Sequence, residues 1–287
     1  MKQTINLAKE FNEEVILLGN DINKNLCSKW IDVSGLTSEK FRKFQKHYIH
    51  LSPNSYEYEL FCFERYFLLE EYMRQNQIEE CIMSDSDVCT FVNYSMLNFP
   101  KYEIAASCMY YRDSSKWMIV PHVTYWRKER LMDFTEYLIK QYRDRSERLI
   151  NKHTQLIESK ASYGISDMSL LYLWVTECCK DFWNLAIEQN GQAFDVFLTS
   201  KVNCDGVPFQ MVNGIKKIIF KNKLPYFVTE DGNLLRANVL HAQGDSKKYI
   251  NMLANKRYSL LEIRLSDFLF WTKKTKERGK RFIARYL

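Results

Sequence analysis

The segment that decides the fold is Cys81-Ile82-Met83-Ser84-Asp85-Ser86-Asp87-Val88, an apolar run that ends in two acidic residues. The apolar part predicts a buried strand, with the two carboxylates at its carboxyl end. In open α/β sheets that edge is where ligands bind. Since residues i and i+2 of a strand face the same way, we expect Asp85 and Asp87 to reach one cation together.

A second segment with chemical character is His241-Ala242-Gln243-Gly244-Asp245-Ser246-Lys247, which follows a predicted strand over 234–240. His241 offers an imidazole, Gly244 leaves the backbone accessible, and Lys247 adds a compact ammonium group. A lysine acts as a point charge on phosphate oxygens. The segment therefore has the groups that a diphosphate site needs beside a pair of carboxylates.

Together the two segments predict one metal-dependent diphosphate site. Carboxylates and one imidazole suit a hard divalent cation, so we expect Asp85, Asp87 and His241 to be its protein ligands. A D-x-D sequence occurs by chance in many chains, and His241 alone also fits a structural histidine. The inference therefore rests on the two segments as a pair.

Length and composition fit one large α/β domain with a basic end. The 287 residues are 46% hydrophobic, and only 9 Gly and 5 Pro are present, so we expect a sizeable core without low-complexity segments. Residues 273–287 contain seven basic residues and one acidic residue, which accounts for the whole net charge of +6. We therefore expect a domain over 1–255 and a basic, aromatic helical tail over 256–287, without a nucleic-acid groove across the body.

The tail has two interpretations. It interleaves Trp271, Phe282 and Tyr286 with the basic residues, a combination that favours attachment to an anionic membrane surface. A solvated charged helix fits the same residues. Nucleic-acid binding is the minor alternative, since no recognised motif accompanies the charge.

The cysteines and the apolar runs favour an intracellular protein. None of the eight cysteines forms a C-x-x-C pair, which is typical of reduced thiols in the cytosol. No run approaches the roughly 20 apolar residues of a membrane span, and the amino terminus lacks a secretory signal. We expect a cytoplasmic protein, free or peripheral at the inner face of a membrane.

The hydrophobic pattern predicts an α/β fold with a mixed central sheet flanked by helices and a small antiparallel sheet. The predicted helices cover residues 3–11, 56–75, 128–147, 165–182 and 245–254. The predicted strands cover residues 14–18, 81–84, 102–108, 117–126, 217–220, 225–228 and 234–240.

These motifs and this element order resemble the GT-A glycosyltransferases over residues 14–250. The likeness is to the retaining family that includes glycogenin and the lipopolysaccharide galactosyltransferases. In that family a D-x-D at a strand end binds a divalent metal, usually manganese, and H-x-x-G-x-x-K adds the third ligand and grips the donor diphosphate. The resemblance implies a metal held by Asp85, Asp87 and His241. It places Ser86, Gly244 and Lys247 beside the nucleotide donor.

The resemblance extends to two more positions. Arg65 stands where that family has a basic residue facing the donor, and Asp167 where it has an acid that opens a helix beside the donor sugar. From the residues alone, Arg65 also fits a salt bridge with Glu64 or Glu70, and Asp167 also fits a helix N-terminal acid.

Three features depart from the family. Met168 replaces the amide that follows the helix-opening acid, and Lys248-Tyr249 replaces Pro-Trp after the motif lysine. We also expect the chain to begin in the helix that follows the family's first strand. That strand usually forms a wall for the nucleotide base, so the sequence does not predict which base the donor carries.

The resemblance implies a glycosyltransferase that uses Mn²⁺ or Mg²⁺. Such an enzyme would move a sugar from a nucleotide donor to a hydroxyl of a glycan or lipid-linked glycan. The expected donor is a UDP-sugar, and the expected outcome is retention of configuration. One alternative is a metal-dependent phosphohydrolase or nucleotidyltransferase that uses the same ligands. Another is a degenerate transferase that binds nucleotide sugar without catalysis. His122 fits either the acceptor side or the core.

Overall fold

A computed structural model describes residues 1–36, 38–110, 113, 115–204, 206–259 and 261–272. The chain forms two compact units, each built from separate stretches of sequence. The α/β unit comprises Ile16–Asp85 and Tyr94–Leu185. The β unit comprises Met1–Val15, Ser86–Asn93 and the described residues from Ala186 onward. The predicted division into a domain over 1–255 and a tail over 256–287 stays a prediction.

The helices and strands are numbered along the chain. The helices are α1 (Lys2–Phe11), α2 (Glu39–His47), α3 (Tyr56–Gln75), α4 (Lys128–Asp144), α5 (Ser146–Glu158), α6 (Asp167–Cys178) and α7 (Ile250–Ala254). The strands are β1 (Ile16–Gly19), β2 (Lys29–Asp32), β3 (Glu80–Ser84), β4 (Val88–Thr90), β5 (Ile104–Ser107), β6 (Val120–Arg127), β7 (Phe182–Asn184), β8 (Gln192–Phe194), β9 (Met211–Val212), β10 (Ile215–Lys216), β11 (Ile218–Lys221), β12 (Leu224–Val228) and β13 (Leu234–His241). Residues 261–272 are also helical.

The α/β unit has a four-stranded mixed sheet in the order β3-β6-β5-β7. Strands β3 and β5 are antiparallel to β6, and β7 is parallel to β5. Large aromatic side chains form its core: Trp126 on β6 stacks on Phe134 of α4 with ring centroids 5.5 Å apart, and Trp174 of α6 lies 5.3 Å from Phe134. The predicted α/β class with a mixed sheet is confirmed.

The β unit is built around β13. This strand pairs antiparallel with β12 and with β4, and parallel with β8. In the register with β4, His241 lies opposite Val88. Buried residues such as Phe91, Phe227 and Leu240 form the core beneath the sheet. The unit therefore fixes the end of β13 beside the start of β4.

Most predicted elements are present, with some corrections. Helix α3 has the predicted bounds, because Ser55 caps it by accepting a hydrogen bond from the Tyr58 amide at 3.3 Å. The predicted helix 128–147 is wrong in its last turn, since α4 ends at Asp144 and α5 begins at Ser146. The predicted helix 165–182 ends at Cys178, and Phe182 belongs to β7.

The cysteine prediction concerns described residues only, whereas the membrane prediction concerns them in part. All eight cysteines are free thiols. In the part of the chain that the structure describes, no helix has both the length and the apolar composition needed to cross a membrane. The basic residues predicted to attach to a membrane, with Phe282 and Tyr286, fall in 273–287 and lie outside the described residues.

Candidate metal and donor-binding site

The two acidic residues of the D-x-D segment lie in the turn that joins β3 to β4. Strand β3 ends before Asp85, and β4 begins after Asp87. Neither residue is in a strand, so the turn, and not strand alternation, sets the direction of the two carboxylates. Asp85 is the last residue of this stretch of the α/β unit, and Ser86 is the first of the β unit. Each carboxylate is accordingly held by groups of its own unit.

In the β unit, Asp87 meets the two basic groups of the second motif. Its Oδ1 lies 3.5 Å from Nε2 of His241, and its Oδ2 lies 3.0 Å from Nζ of Lys247. The amide of Ala242 donates to the Asp87 carbonyl oxygen at 3.1 Å, which ties the end of β13 to the acidic turn. We call Asp87, His241 and Lys247 the Asp87 cluster.

The Asp87 cluster holds its carboxylate ionised. Burial by itself raises the pKa of Asp87, but His241 and Lys247 outweigh it and lower that pKa from 3.8 to about 2. Burial lowers the pKa of His241, and its contact with Asp87 more than offsets this, so that pKa lies above its ordinary 6.5. At neutral pH the cluster therefore contains an anionic carboxylate.

Two hydrogen bonds hold His241, one through its ring and one through its backbone. Its Nδ1 lies 2.6 Å from the carbonyl oxygen of Val196, and its backbone amide donates to Oδ2 of Asp195 at 2.9 Å. A carbonyl oxygen only accepts, so Nδ1 carries the proton. In the neutral ring, Nε2 on the Asp87 side therefore keeps its lone pair.

The residues of the Asp87 cluster fit a divalent cation. Oδ1 of Asp87 is buried and accepts no hydrogen bond from the described residues, which is unusual for a buried oxygen. A carboxylate oxygen beside a neutral imidazole nitrogen is a donor set that suits Mn²⁺ and Mg²⁺ among other metals. Asp87 and His241 could thus hold a metal ion. Asp85 is two residues away along the chain.

Gly244 and Ser86 lie beside this cluster in the sequence. Gly244 opens a 3-10 turn, Gly244–Tyr249, with φ of +54°, a left-handed conformation that favours glycine. A Cβ there would meet no described atom within 4 Å, so the backbone is open to a ligand. The carbonyl oxygen of Ser86 accepts a hydrogen bond from Oγ1 of Thr4 at 2.8 Å. This bond anchors the acidic turn to α1.

In the α/β unit, Arg65 joins two of the predicted acids. From α3 its Nη1 lies 2.8 Å from Oδ1 of Asp85, and its Nη2 lies 2.5 Å from Oδ2 of Asp167. The hydroxyl of Tyr66 donates to the same Asp167 oxygen at 3.0 Å. We call Arg65, Tyr66, Asp85 and Asp167 the Arg65 cluster.

Asp167 is more than a helix N-terminal acid. It opens α6, and its side chain is only 5% exposed. Burial by itself lowers the pKa of Arg65, but Tyr66, Asp167 and Asp85 raise it above its ordinary value. The structure thus brings Arg65, Asp85 and Asp167 together, as predicted site residues. Among the described residues, Arg65 forms no ion pair with Glu64 or Glu70, the alternative partners.

Two further residues have a place here that the motifs did not predict. Lys216 and Asp195 form a fully buried ion pair, and Asp195 also holds the backbone of His241. The signal for Lys216 was its place, with Lys217, among the apolar residues of 215–220. His122 is fully buried in β6, and its carbonyl oxygen accepts from the Asp85 amide at 2.9 Å. Its position is therefore that of a core residue.

We expect acid to destabilise the metal-free protein through Asp87. In the folded chain the pKa of Asp87, about 2, lies below the ordinary 3.8. The ionised carboxylate therefore contributes its full share to the free energy of unfolding above pH 3.8, and this share is lost as the pH falls through about 2. The loss should be about 2 kcal/mol in the free energy of unfolding. Urea titrations in EDTA at several acidic pH values measure it. An equal loss in Asp87→Asn would contradict the assignment.

Comparisons with known proteins return nothing: no protein-family model, no curated protein and no solved structure matches this chain. The resemblance to the GT-A glycosyltransferases therefore rests on the motifs, and membership of that family stays a prediction.

Proposed function

We propose that this protein is a GT-A-like, metal-dependent glycosyltransferase that moves a sugar from a nucleoside-diphosphate donor to an acceptor hydroxyl. The observation that carries the proposal is the Asp87 cluster. An ionised carboxylate has His241 Nε2, which offers a lone pair in the neutral ring, beside one oxygen and the ammonium of Lys247 beside the other. Such a set can hold a divalent cation and a diphosphate side by side.

In this proposal the β unit binds the departing diphosphate. Asp87 and His241 would hold Mn²⁺ or Mg²⁺. When bound, the cation neutralises the charge that develops on the leaving diphosphate. Lys247 adds a second positive charge, and its side chain is 57% exposed, so it is free to leave Asp87 for a phosphate oxygen. Gly244 lets that oxygen approach the backbone.

The α/β unit contributes the Arg65 cluster. Arg65 and Tyr66 both hold Oδ2 of Asp167, while Oδ1 of Asp167 accepts from the Met168 amide at 2.9 Å. We propose that this fixed carboxylate accepts a hydrogen bond from a hydroxyl of the donor sugar. Orientation of the donor against the acceptor then supplies much of the rate enhancement. Retention of configuration is the outcome that the resemblance implies.

The first experiment is a thermal-shift titration with UDP, GDP and CDP, with and without Mn²⁺. A diphosphate at 100 times its dissociation constant should stabilise the protein by about 2.7 kcal/mol. We expect a metal-dependent rise in melting temperature with UDP, and no such rise in Asp87→Ala. No rise with any nucleotide in the wild type would contradict an active donor site and favour the degenerate binding protein.

Product analysis separates the transferase from a phosphohydrolase. With a UDP-sugar and an acceptor, the transferase releases UDP and forms a glycoside. A phosphohydrolase or nucleotidyltransferase would instead cleave between or beside the phosphates and release UMP. Chromatographic identification of the nucleotide product therefore decides between the two reactions that the same metal ligands could support.

We further propose that the carboxyl-terminal region attaches to an anionic membrane, which would suit a lipid-linked acceptor. The helix over 261–272 exposes Leu261, Leu265, Phe268 and Trp271, whose spacing places them along one face. Basic residues follow in the sequence. Exposed apolar side chains followed by cationic ones are typical of helices that bind at a lipid interface.

Vesicle co-sedimentation tests this attachment. We expect binding to vesicles that contain phosphatidylserine, weak binding to phosphatidylcholine alone, and release as salt screens the charges. The double variant Leu265→Glu/Phe268→Glu should bind more weakly, because both side chains are exposed and their replacement leaves the core intact. Equal binding of this variant would contradict a role for the exposed face.

A further inference from the structure

A buried ion pair lies behind the histidine of the Asp87 cluster. Lys216 and Asp195 are both 0% exposed. Besides Asp195, Nζ of Lys216 donates to Oδ1 of Asn203 at 2.6 Å and to the carbonyl oxygen of Phe197 at 3.0 Å. The three hydrogens of the ammonium therefore have three acceptors. Replacing such a buried pair by apolar residues is often neutral or stabilising, so stability alone does not account for it.

The acidic member of the pair reaches His241 directly. One oxygen of Asp195 accepts from Lys216, and the other accepts from the His241 backbone amide at 2.9 Å. The neighbouring carbonyl of Val196 receives the ring proton on Nδ1 at 2.6 Å. Both the backbone and the ring of His241 are thus held by two consecutive residues.

Lys216 fixes the segment that carries these two acceptors. It binds Asp195 and Phe197, which flank Val196, and Asn203 binds the same segment through the Val196 amide at 3.3 Å. The Leu198 amide donates to the His241 carbonyl oxygen at 3.2 Å. The ammonium therefore sits at the centre of the contacts that set where the imidazole points.

We propose that the Lys216–Asp195 pair is a positioning device for His241, which holds Nε2 toward a divalent cation bound with Asp87. The proposal rests on the proposed function, since it assumes that this site takes a metal. Asp195 and Lys216 are positioning residues and touch neither metal nor substrate. Outer residues that orient a metal-ligating histidine typically change metal affinity by 10- to 100-fold.

A double variant separates positioning from stability. In Asp195→Leu/Lys216→Met both charges are removed together, so no unpaired buried charge remains and the variant should still fold, at a melting temperature lowered by the lost hydrogen bonds of Phe197 and His241. The same variant loses the acceptor of the His241 amide. We therefore expect its Mn²⁺ affinity, measured from the electron paramagnetic resonance signal of free Mn²⁺, to fall 10- to 100-fold.

Asp195→Asn is a second probe if the double variant does not fold. It preserves the side-chain volume, and its single amide oxygen cannot serve both Lys216 and His241 as the carboxylate does. Its Mn²⁺ affinity should fall in the same direction. Nitrogen chemical shifts of the His241 ring should also move from the Nδ1-protonated pattern of the wild type.

The outcomes distinguish this inference from the proposed function. If the wild type binds Mn²⁺ and Asp87→Ala does not, the metal site stands. Unchanged Mn²⁺ affinity in a folded double variant, or in folded Asp195→Asn, then overturns the positioning role alone. If the wild type and Asp87→Ala bind Mn²⁺ equally, the proposed metal site is wrong, and the inference that depends on it fails with it.

Discussion

Under the proposed function, the Asp87→Asn variant should transfer sugar with a kcat/KM about a thousand-fold below that of the wild type. The substitution keeps the size of the side chain but removes the charge that His241 and Lys247 surround. A metal that polarises a leaving group contributes several kcal/mol, and about 4 kcal/mol corresponds to about three orders of magnitude in rate. Steady-state assays over a range of donor and Mn²⁺ concentrations measure the effect.

A matched control for Asp87→Asn is Asp245→Asn, which removes an exposed carboxylate from the turn that follows His241. We expect this variant to keep activity within a few-fold of the wild type. Saturating Mn²⁺ should not rescue Asp87→Asn. Comparable activity of Asp87→Asn and the wild type would show that the Asp87 cluster takes no part in catalysis.

The Arg65→Met variant should lose about 3–5 kcal/mol in its free energy of unfolding. Among the described residues Arg65 is the cation that pairs with Asp167, and its removal leaves a carboxylate that is 5% exposed with no described positive charge to pair with. The alkyl part of methionine replaces much of the packing of the arginine stem. Urea or thermal unfolding, followed by circular dichroism, measures the loss.

The same helix provides the control for Arg65. Arg74 on α3 also forms an ion pair, with Glu71 at 2.6 Å, but its side chain is 62% exposed. Arg74→Met should therefore change the free energy of unfolding far less than Arg65→Met does. Equal losses in the two variants would mean that burial of the Arg65 cluster contributes nothing to stability. A second variant, Asp167→Asn/Arg65→Met, should recover part of the loss.

How far the sequence predicts the fold depends on the length of each element. Helix α3 was predicted in full, because a Ser55 cap precedes a long apolar pattern of helical period. Strands β7 and β8 have three residues each, too few to show a period. Helix α2 was missed although Ser38 caps it by accepting from the Phe41 amide, a signal that was present in the sequence.

The candidate site was predictable in its residue types and only partly in its geometry. The D-x-D turn and His241 stand out because their chemistry is unusual beside an apolar strand. The partner of Arg65 could not be chosen from the sequence, since Asp167 lies 102 residues away and becomes a neighbour only in the fold. The pairing of Lys216 with Asp195 depends in the same way on contacts made across the β unit.

The β unit is built from three separate stretches of sequence, and this constrains the order in which the two units can fold during synthesis. Helix α1 is synthesised before the other described elements, yet its unit also needs residues 86–93 and the strands from residue 186 onward. The α/β unit, by contrast, has all its residues once Leu185 is made. Because domains generally fold as units during synthesis, α1 must wait for β13. The Asp87 cluster, which needs the end of β13, is thus completed only after the α/β unit has all its residues.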